Sequence, residues 1–187
     1  MDSFRTFIAI ELPQDLRARV RDHINRLRRE LPEVSASWSR DDNLHLTLRF
    51  LGNVAVAELP NVSGAVERAL NPGLPFELTI SGCGVFSPRG RSSVLWIGAQ
   101  ASELHDLHDG IESELAAAGI PRESRPFHPH LTIARLRKPQ DARCLAELHQ
   151  SLGFATQVAT VSEVVVFRSE LLKEGSKHTA ISRHALQ

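Results

Sequence analysis

The sequence predicts an α+β fold built mainly on antiparallel sheet, and three observations carry that expectation. Apolar residues recur at helical spacing in several stretches and at strand spacing in others, and the two kinds alternate along the chain. The order strand, helix, strand appears in two comparable halves, with a long-tipped hairpin at residues 76–99 where a doubly wound sheet would need a helical crossover. A short pattern, His-x-Thr followed by an aliphatic residue, occurs twice, at His45-Leu46-Thr47-Leu48 and His130-Leu131-Thr132-Ile133, once in each half.

Residues 5–12 form the first strand, apolar on both faces through Phe7-Ile8-Ala9-Ile10, which predicts a central position. An amphipathic helix follows over 15–30, with Leu16, Val20, Ile24 and Leu27 inward and six arginines on the other face, which is solvated or, if the helix borders the cleft, contacts a phosphate backbone. A short strand at 34–39 holds Trp38, and Asp41-Asp42-Asn43 turns into the strand 44–51, closed by Gly52. Residues 55–70 read as a helix with Val56, Leu59, Val62, Val66 and Leu70 buried, its start disturbed by Pro60. Strands at 76–81 and 93–99 flank a polar tip, residues 87–92. Ser102 is placed to cap a helix running to Ala118, which Gly119 ends. The loop 121–129 delivers the second His-x-Thr strand, to about Leu136. A short helix covers 141–150, a strand interrupted or bent near Ser162-Glu163 covers 156–168, a turn covers 171–175, and the last strand covers 178–183.

The chain has 187 residues, enough for one domain or two small lobes sharing a core, with 22 basic and 22 acidic side chains. Global charge therefore offers no broad nucleic-acid face, although a substrate bound end-on needs none. Cys83 and Cys144 stand alone, with no CxxC, which fits reduced thiols in a cytoplasmic protein. No stretch suits a secretory signal or a membrane helix. A monomer is expected. Nine histidines accompany no tyrosine, which directs attention to each histidine.

Side chains alternate across a strand, so in each copy of the pattern the imidazole and the hydroxyl share one face, opposite Leu46 and Leu48 or Leu131 and Ile133. Two imidazoles converging on one cleft suit a base and an acid, because an unperturbed pKa of about 6.5 makes both forms available near neutrality. No metal is required for such proton transfers. The residues alone leave the two roles interchangeable. Arg135 has parity opposite to His130, so it reaches the same ligand only through a bend or a strand end. Phe50 and Phe127 are candidates for stacking on a base, each with a core role as the alternative, and His128, which flanks the second motif, is a substrate-side contact or a loop residue. His105 and His108 lie three apart on a helix without a supporting ligand signature, which predicts solvent-exposed side chains. His23, His149 and His184 stand in no motif. Cys83 reads as a small packing residue without a partner for nucleophilic chemistry.

The segments Arg5-Thr6-Phe7-Ile8-Ala9-Ile10, Asn43 through Gly52, Leu95-Trp96-Ile97-Gly98 and Phe127 through Arg135, with Ser169-Glu170-Leu171 and Gly175, resemble the two-histidine phosphoesterase superfamily. Within it the resemblance is to the RNA 2′,3′-cyclic phosphodiesterases of bacteria and archaea, long called 2′-5′ RNA ligases. It covers nearly the whole chain. It implies a single bilobal catalytic domain over residues 1–187, in which two pseudo-symmetric lobes of mainly antiparallel sheet, helices outside, meet in a central cleft. It implies metal-independent hydrolysis of a terminal 2′,3′-cyclic phosphate to a 2′-phosphate without a cofactor, with RNA ends or small cyclic nucleotides as ligands. His45 is then the proton donor and His130 the proton acceptor, and Thr47, Thr132 and Arg135 bind phosphate. The family often has a tyrosine near the last strand where this chain has His178. Ligation, cleavage of 2′-5′ oligonucleotides and noncatalytic binding of RNA ends are the alternative readings. Intact motifs in both halves argue against the last.

Overall fold

In the computed structural model, which describes residues 2–87, 93–172 and 175–186, every strand pairing is antiparallel. The first half contributes β1 (Ser3–Glu11), α1 (Gln14–Glu30), β2 (Ser37–Trp38), β3 (His45–Ala55) and α2 (Leu59–Ala69). Then come β4 (Phe76–Phe86), β5 (Ser93–Gln100), α3 (Glu103–Ala117), β6 (His130–Leu136), α4 (Pro139–Leu152), β7 (Gln157–Val161), β8 (Glu163–Leu172) and β9 (Gly175–Ala185). The strands make one sheet in the order β7-β4-β5-β6-β3-β1-β8-β9, with β2 added beside β6. A pseudo-twofold relation between β6 and β3 exchanges β5 with β1, β4 with β8 and β7 with β9.

Where the two half-sheets join, β3 and β6 share a single registered pair, Leu46 opposite Leu131. Both leucines are fully buried. They belong to the main core, where Ile8, Leu48, Leu95, Ile97 and Ile133 meet the inner stripes of all four helices. The opposite sheet face has a separate apolar cluster of Phe7, Ala9, Val165 and Phe167. Helices cover one face and the other forms the cleft.

Several expectations change in detail. β3 runs past Gly52 because its ladder with β1 continues to Ser3 opposite Ala55. The helix expected from residue 55 begins as a 3-10 turn, and α2 starts at Leu59, with Pro60 in its first turn, where a missing N–H costs nothing. Val56 is thereby left 40% exposed instead of joining the buried stripe. Ser102 does not cap α3; its hydroxyl donates to Glu103 Oε2 at 2.8 Å. The strand expected to be interrupted or bent near Ser162-Glu163 is interrupted there into two strands, β7 pairing with β4 at one end of the sheet and β8 lying between β1 and β9 at the other. The residues joining β8 to β9 are 173–174. These and most of the predicted polar tip, residues 88–92, lie outside the described residues.

Arg49 ties the halves together. It is 8% exposed and its Nε lies 2.5 Å from Glu112 Oε1 of α3, at an angle that makes an ion pair without a hydrogen bond. Its other nitrogens donate to the Pro121 carbonyl at 2.5 Å and to Glu123 Oε2 at 3.3 Å, pinning the loop that delivers His130. Arg49→Ala leaves Glu112 charged, buried and unpaired, which is expected to cost about 3–5 kcal/mol in urea unfolding. Breaking the exposed Arg68–Glu114 pair by Arg68→Ala is expected to cost less than about 1 kcal/mol. Equal losses would contradict the assigned role of Arg49.

Candidate active site

The site grows from the Leu46–Leu131 junction. Extended by one residue each way, that antiparallel register sets His45 against Thr132 and Thr47 against His130, all four half-buried on the cleft face. β3 and β6 then each carry a bulge at the same distance from the histidine. Thr47 pairs with Ala9 and Arg49 with Ile8, passing over Leu48; Thr132 pairs with Trp96 and Ala134 with Leu95, passing over Ile133. Two successive residues therefore point inward in each strand, Leu48 and Arg49 in one, Ile133 and Ala134 in the other. Strand parity flips at that point. Phe50 and Arg135, each five residues beyond its histidine, return to the cleft side. The bulge resolves the parity objection to Arg135.

His45 rests on an apolar floor. Its ring stacks on Phe7 at 4.8 Å and 29°, with the His178 ring edge-on at 5.2 Å. Phe167 stacks on the far side of the cluster, 5.1 Å from Phe7. Burial, and then the His178 imidazole, push the His45 pKa down to about 4, against the opposing pull of the Asn43 carbonyl. His130 is lowered as well, chiefly by burial. Its Nδ1 lies 2.6 Å from the His128 carbonyl, which only accepts, so Nδ1 carries a proton and Nε2 holds the lone pair of the neutral ring. Phe86, edge-on at 5.0 Å, and Trp96 at 6.4 Å flank that ring.

Arg135 reaches solvent yet sits low enough in the cleft that burial, and then the Arg5 guanidinium, depress its pKa. Arg5 is a member of the site that the sequence reading missed; its signal is the alternation Arg5-x-Phe7-x-Ala9 along β1. Phe50, 46% exposed, stands 5.9 Å from Phe7 at the rim. A cavity of about 480 Å³ opens off the His130 side, lined by Trp96, Gly98, Gln100, Ser102, His105 and His128, and does not extend to His45. Phe127 stands apart: its ring stacks on His108 at 4.2 Å and 7°, against α3. His108 is consequently half-buried, with Asp109 3.0 Å away, where an exposed side chain was expected; His105 is exposed.

A family model described as the 2'-5' RNA ligase superfamily matches residues 12–171. The chain belongs to that superfamily. It is 34% identical over 179 residues to the RNA 2',3'-cyclic phosphodiesterase of Methanothermobacter thermautotrophicus, covering 94% of this chain and 95% of that protein. The Escherichia coli protein of the same name is 30% identical over 184 residues, covering 97% and 96%. Among solved structures, E. coli LigT complexed with 3'-AMP superposes with a TM-score of 0.78 at 29% identity, covering 100% of this chain and 99% of that one. As a superfamily member, the chain is a mixed α/β phosphoesterase with helices outside the sheet. Among the described residues no helix is long and apolar enough to cross a membrane.

A phosphate anion bound between the histidines favours imidazolium, so it opposes the desolvation at His45. In an NMR titration the His45 ring is expected to titrate near pH 4 in the free protein and at higher pH with inorganic phosphate present. A ring that titrates at about 6.5 in both conditions would contradict this electrostatic account.

Proposed function

We propose that this protein opens RNA 2′,3′-cyclic phosphate ends to 2′-phosphates, with His45 as proton donor and His130 as proton acceptor. The observation that carries this reading is the Leu46–Leu131 junction, which sets two imidazole and hydroxyl pairs on one face beneath two guanidinium groups. The shared name of the relatives supports the substrate class, and the 3'-AMP complex of E. coli LigT supports a nucleotide ligand.

In the proposed step His130 Nε2 takes a proton from water as the water oxygen bonds to phosphorus. The bond from phosphorus to the ribose 3′ oxygen breaks, and His45 protonates that oxygen. Negative charge grows on the nonbridging oxygens, where the Thr47 and Thr132 hydroxyls donate hydrogen bonds and Arg135 and Arg5 supply charge. The two imidazoles end in exchanged protonation states and are reset through solvent. Phe50, exposed at the rim, stacks on a base of the RNA, and His128 borders the cavity where the sugar or the adjoining base sits. Phe127 has no part in this scheme, because α3 holds its ring. His178 stands where the family often has tyrosine, and its ring packs against His45. The whole chain acts as one catalytic unit, a monomer in the cytoplasm, a placement supported by its two unpaired cysteines. Ligation and the cleavage of 2′-5′ linkages use the same imidazoles, and no observation favours them over opening cyclic ends.

His45→Ala and His130→Ala are each expected to lower the rate on a 2′,3′-cyclic phosphate RNA by about 10²–10⁴. Thr47→Ala and Thr132→Ala are expected to lower kcat by up to about 10²–10³. A wild-type rate in either histidine variant would sink the mechanism. Because both imidazoles are depressed in the free protein, kcat/KM is expected to peak on the acid side of about pH 6.5. Bound phosphodiester raises His45, so activity is lost on the alkaline side at higher pH for kcat than for kcat/KM. Coincident alkaline limbs would remove His45 from the donor role.

A further inference from the structure

Behind the wall of the cleft, on the helix-covered side of the sheet, three side chains from separate elements converge. They are His23 of α1, Cys83 of β4 and His149 of α4, and their potential ligand atoms all lie within 4.8 Å of one another. None belongs to the site described above. Cys83 arrives there through a bulge. Ser81 pairs with Gly98 and Cys83 with Ile97, passing over Gly82, whose φ of +74° suits glycine. Without that extra residue Cys83 would share the cleft face with Ser81. With it, Cys83 shares the core face with Ile97. His149 lies on the buried stripe of α4 with Ala142, Leu145 and Ala146, and is fully buried.

The hydrogen bonds orient this cluster for an ion. His149 Nε2 lies 2.9 Å from the Trp96 carbonyl, which only accepts, so Nε2 carries the proton and Nδ1 holds a lone pair. That lone pair points at His23 Nε2, 2.8 Å away, with Cys83 beside it. An imidazole that donates one N–H to a backbone carbonyl while its other nitrogen faces histidine and cysteine is the arrangement found around metal-bound histidine. No carboxylate contacts either ring among the described hydrogen bonds.

We infer that His23, Cys83 and His149 form a site for a borderline-soft divalent cation, zinc above all, remote from the catalytic histidines. Zinc takes nitrogen at about 2.0–2.1 Å and thiolate sulfur at about 2.3 Å, so two nitrogens and one sulfur around one tetrahedral ion stand about 3.3–3.6 Å apart. Reaching that spacing asks the nitrogens to part slightly and the thiol to swing in. On binding, His23 moves its proton to Nδ1, freeing Nε2, and the Cys83 thiol releases its proton to solvent. Burial holds the free thiol up at about 11, which makes it inert as a nucleophile until a cation reverses the balance. Three protein ligands leave a fourth position for water. The ion would fasten α1, α4 and β4 behind the strand whose Trp96 lines the cleft, so its effect is on stability and not on the proton transfers.

The test uses the full chain stripped by chelator and titrated with Co²⁺ and then Zn²⁺. One equivalent of Co²⁺ is expected to give a thiolate-to-cobalt charge-transfer band in the near ultraviolet, and Zn²⁺ is expected to displace it. Zinc at about a hundredfold excess over its Kd is expected to raise Tm by roughly 5–10 °C. Cys83→Ser is expected to abolish the band, and both Cys83→Ser and His23→Asn are expected to weaken zinc binding by at least about tenfold while leaving cyclic phosphodiesterase activity unchanged. No stoichiometric binding, binding without the thiolate band, or affinity unchanged in both variants overturns the proposal. The last of these would assign any bound ion to surface histidines.

Discussion

Everything at this site depends on one backbone pairing, Leu46 opposite Leu131. Among the described residues β3 and β6 meet nowhere else in register. Had they met one residue out of step, the leucines would face the cleft and the imidazoles the core, since a slip of one residue turns every side chain over. The full burial of both leucines is what holds the register. Arg49 reinforces it, because the inward residue of the β3 bulge clamps the very loop that leads into His130. β2 then covers β6 where β3 leaves it, with the Ser39 hydroxyl donating to the Thr132 carbonyl at 2.7 Å.

Around that junction the cleft is apolar below and cationic above. Phe7, Ala9, Val165 and Phe167 exclude water beneath His45, while Arg5 and Arg135 repel each other across the rim. Both features leave the empty site short of negative charge. In the proposed function a phosphodiester would supply it, relieving the two guanidiniums and restoring the proton affinity of His45 in one event. Charge that builds on phosphate during the reaction is then better matched than the ground state, the condition for lowering a barrier.

Much of this was legible in the sequence, because repetition is a strong signal. Two His-x-Thr strands in matching contexts identify the paired imidazoles, and the apolar stripes of α1 and α3 read directly from helical spacing. The bulges were not legible. Leu48-Arg49-Phe50 and Ile133-Ala134-Arg135 look like ordinary strand continuations, and only pairing with β1 and β5 reveals the extra residue that turns Phe50 and Arg135 to the cleft. The passage from β7 to β8 was half legible: an interruption or bend was readable at Ser162-Glu163, but Val161-Ser162-Glu163 contains neither glycine nor proline, so nothing local signals a crossing from one end of the sheet to the other. Phe127 and His108 found each other through tertiary packing that no local pattern encodes. His149 carried a weak signal, a histidine on the apolar stripe Ala142, Leu145, Ala146, but its partners lie on other elements.

The most direct test of the account is to identify the product when the purified protein acts on an RNA bearing a 2′,3′-cyclic phosphate end in the presence of chelator. The account predicts a terminal 2′-phosphate at an initial rate the chelator does not alter. A 3′-phosphate product would contradict the ribose 3′ oxygen as the leaving group, and turnover that vanishes in chelator and returns with a divalent ion would contradict the two-imidazole mechanism.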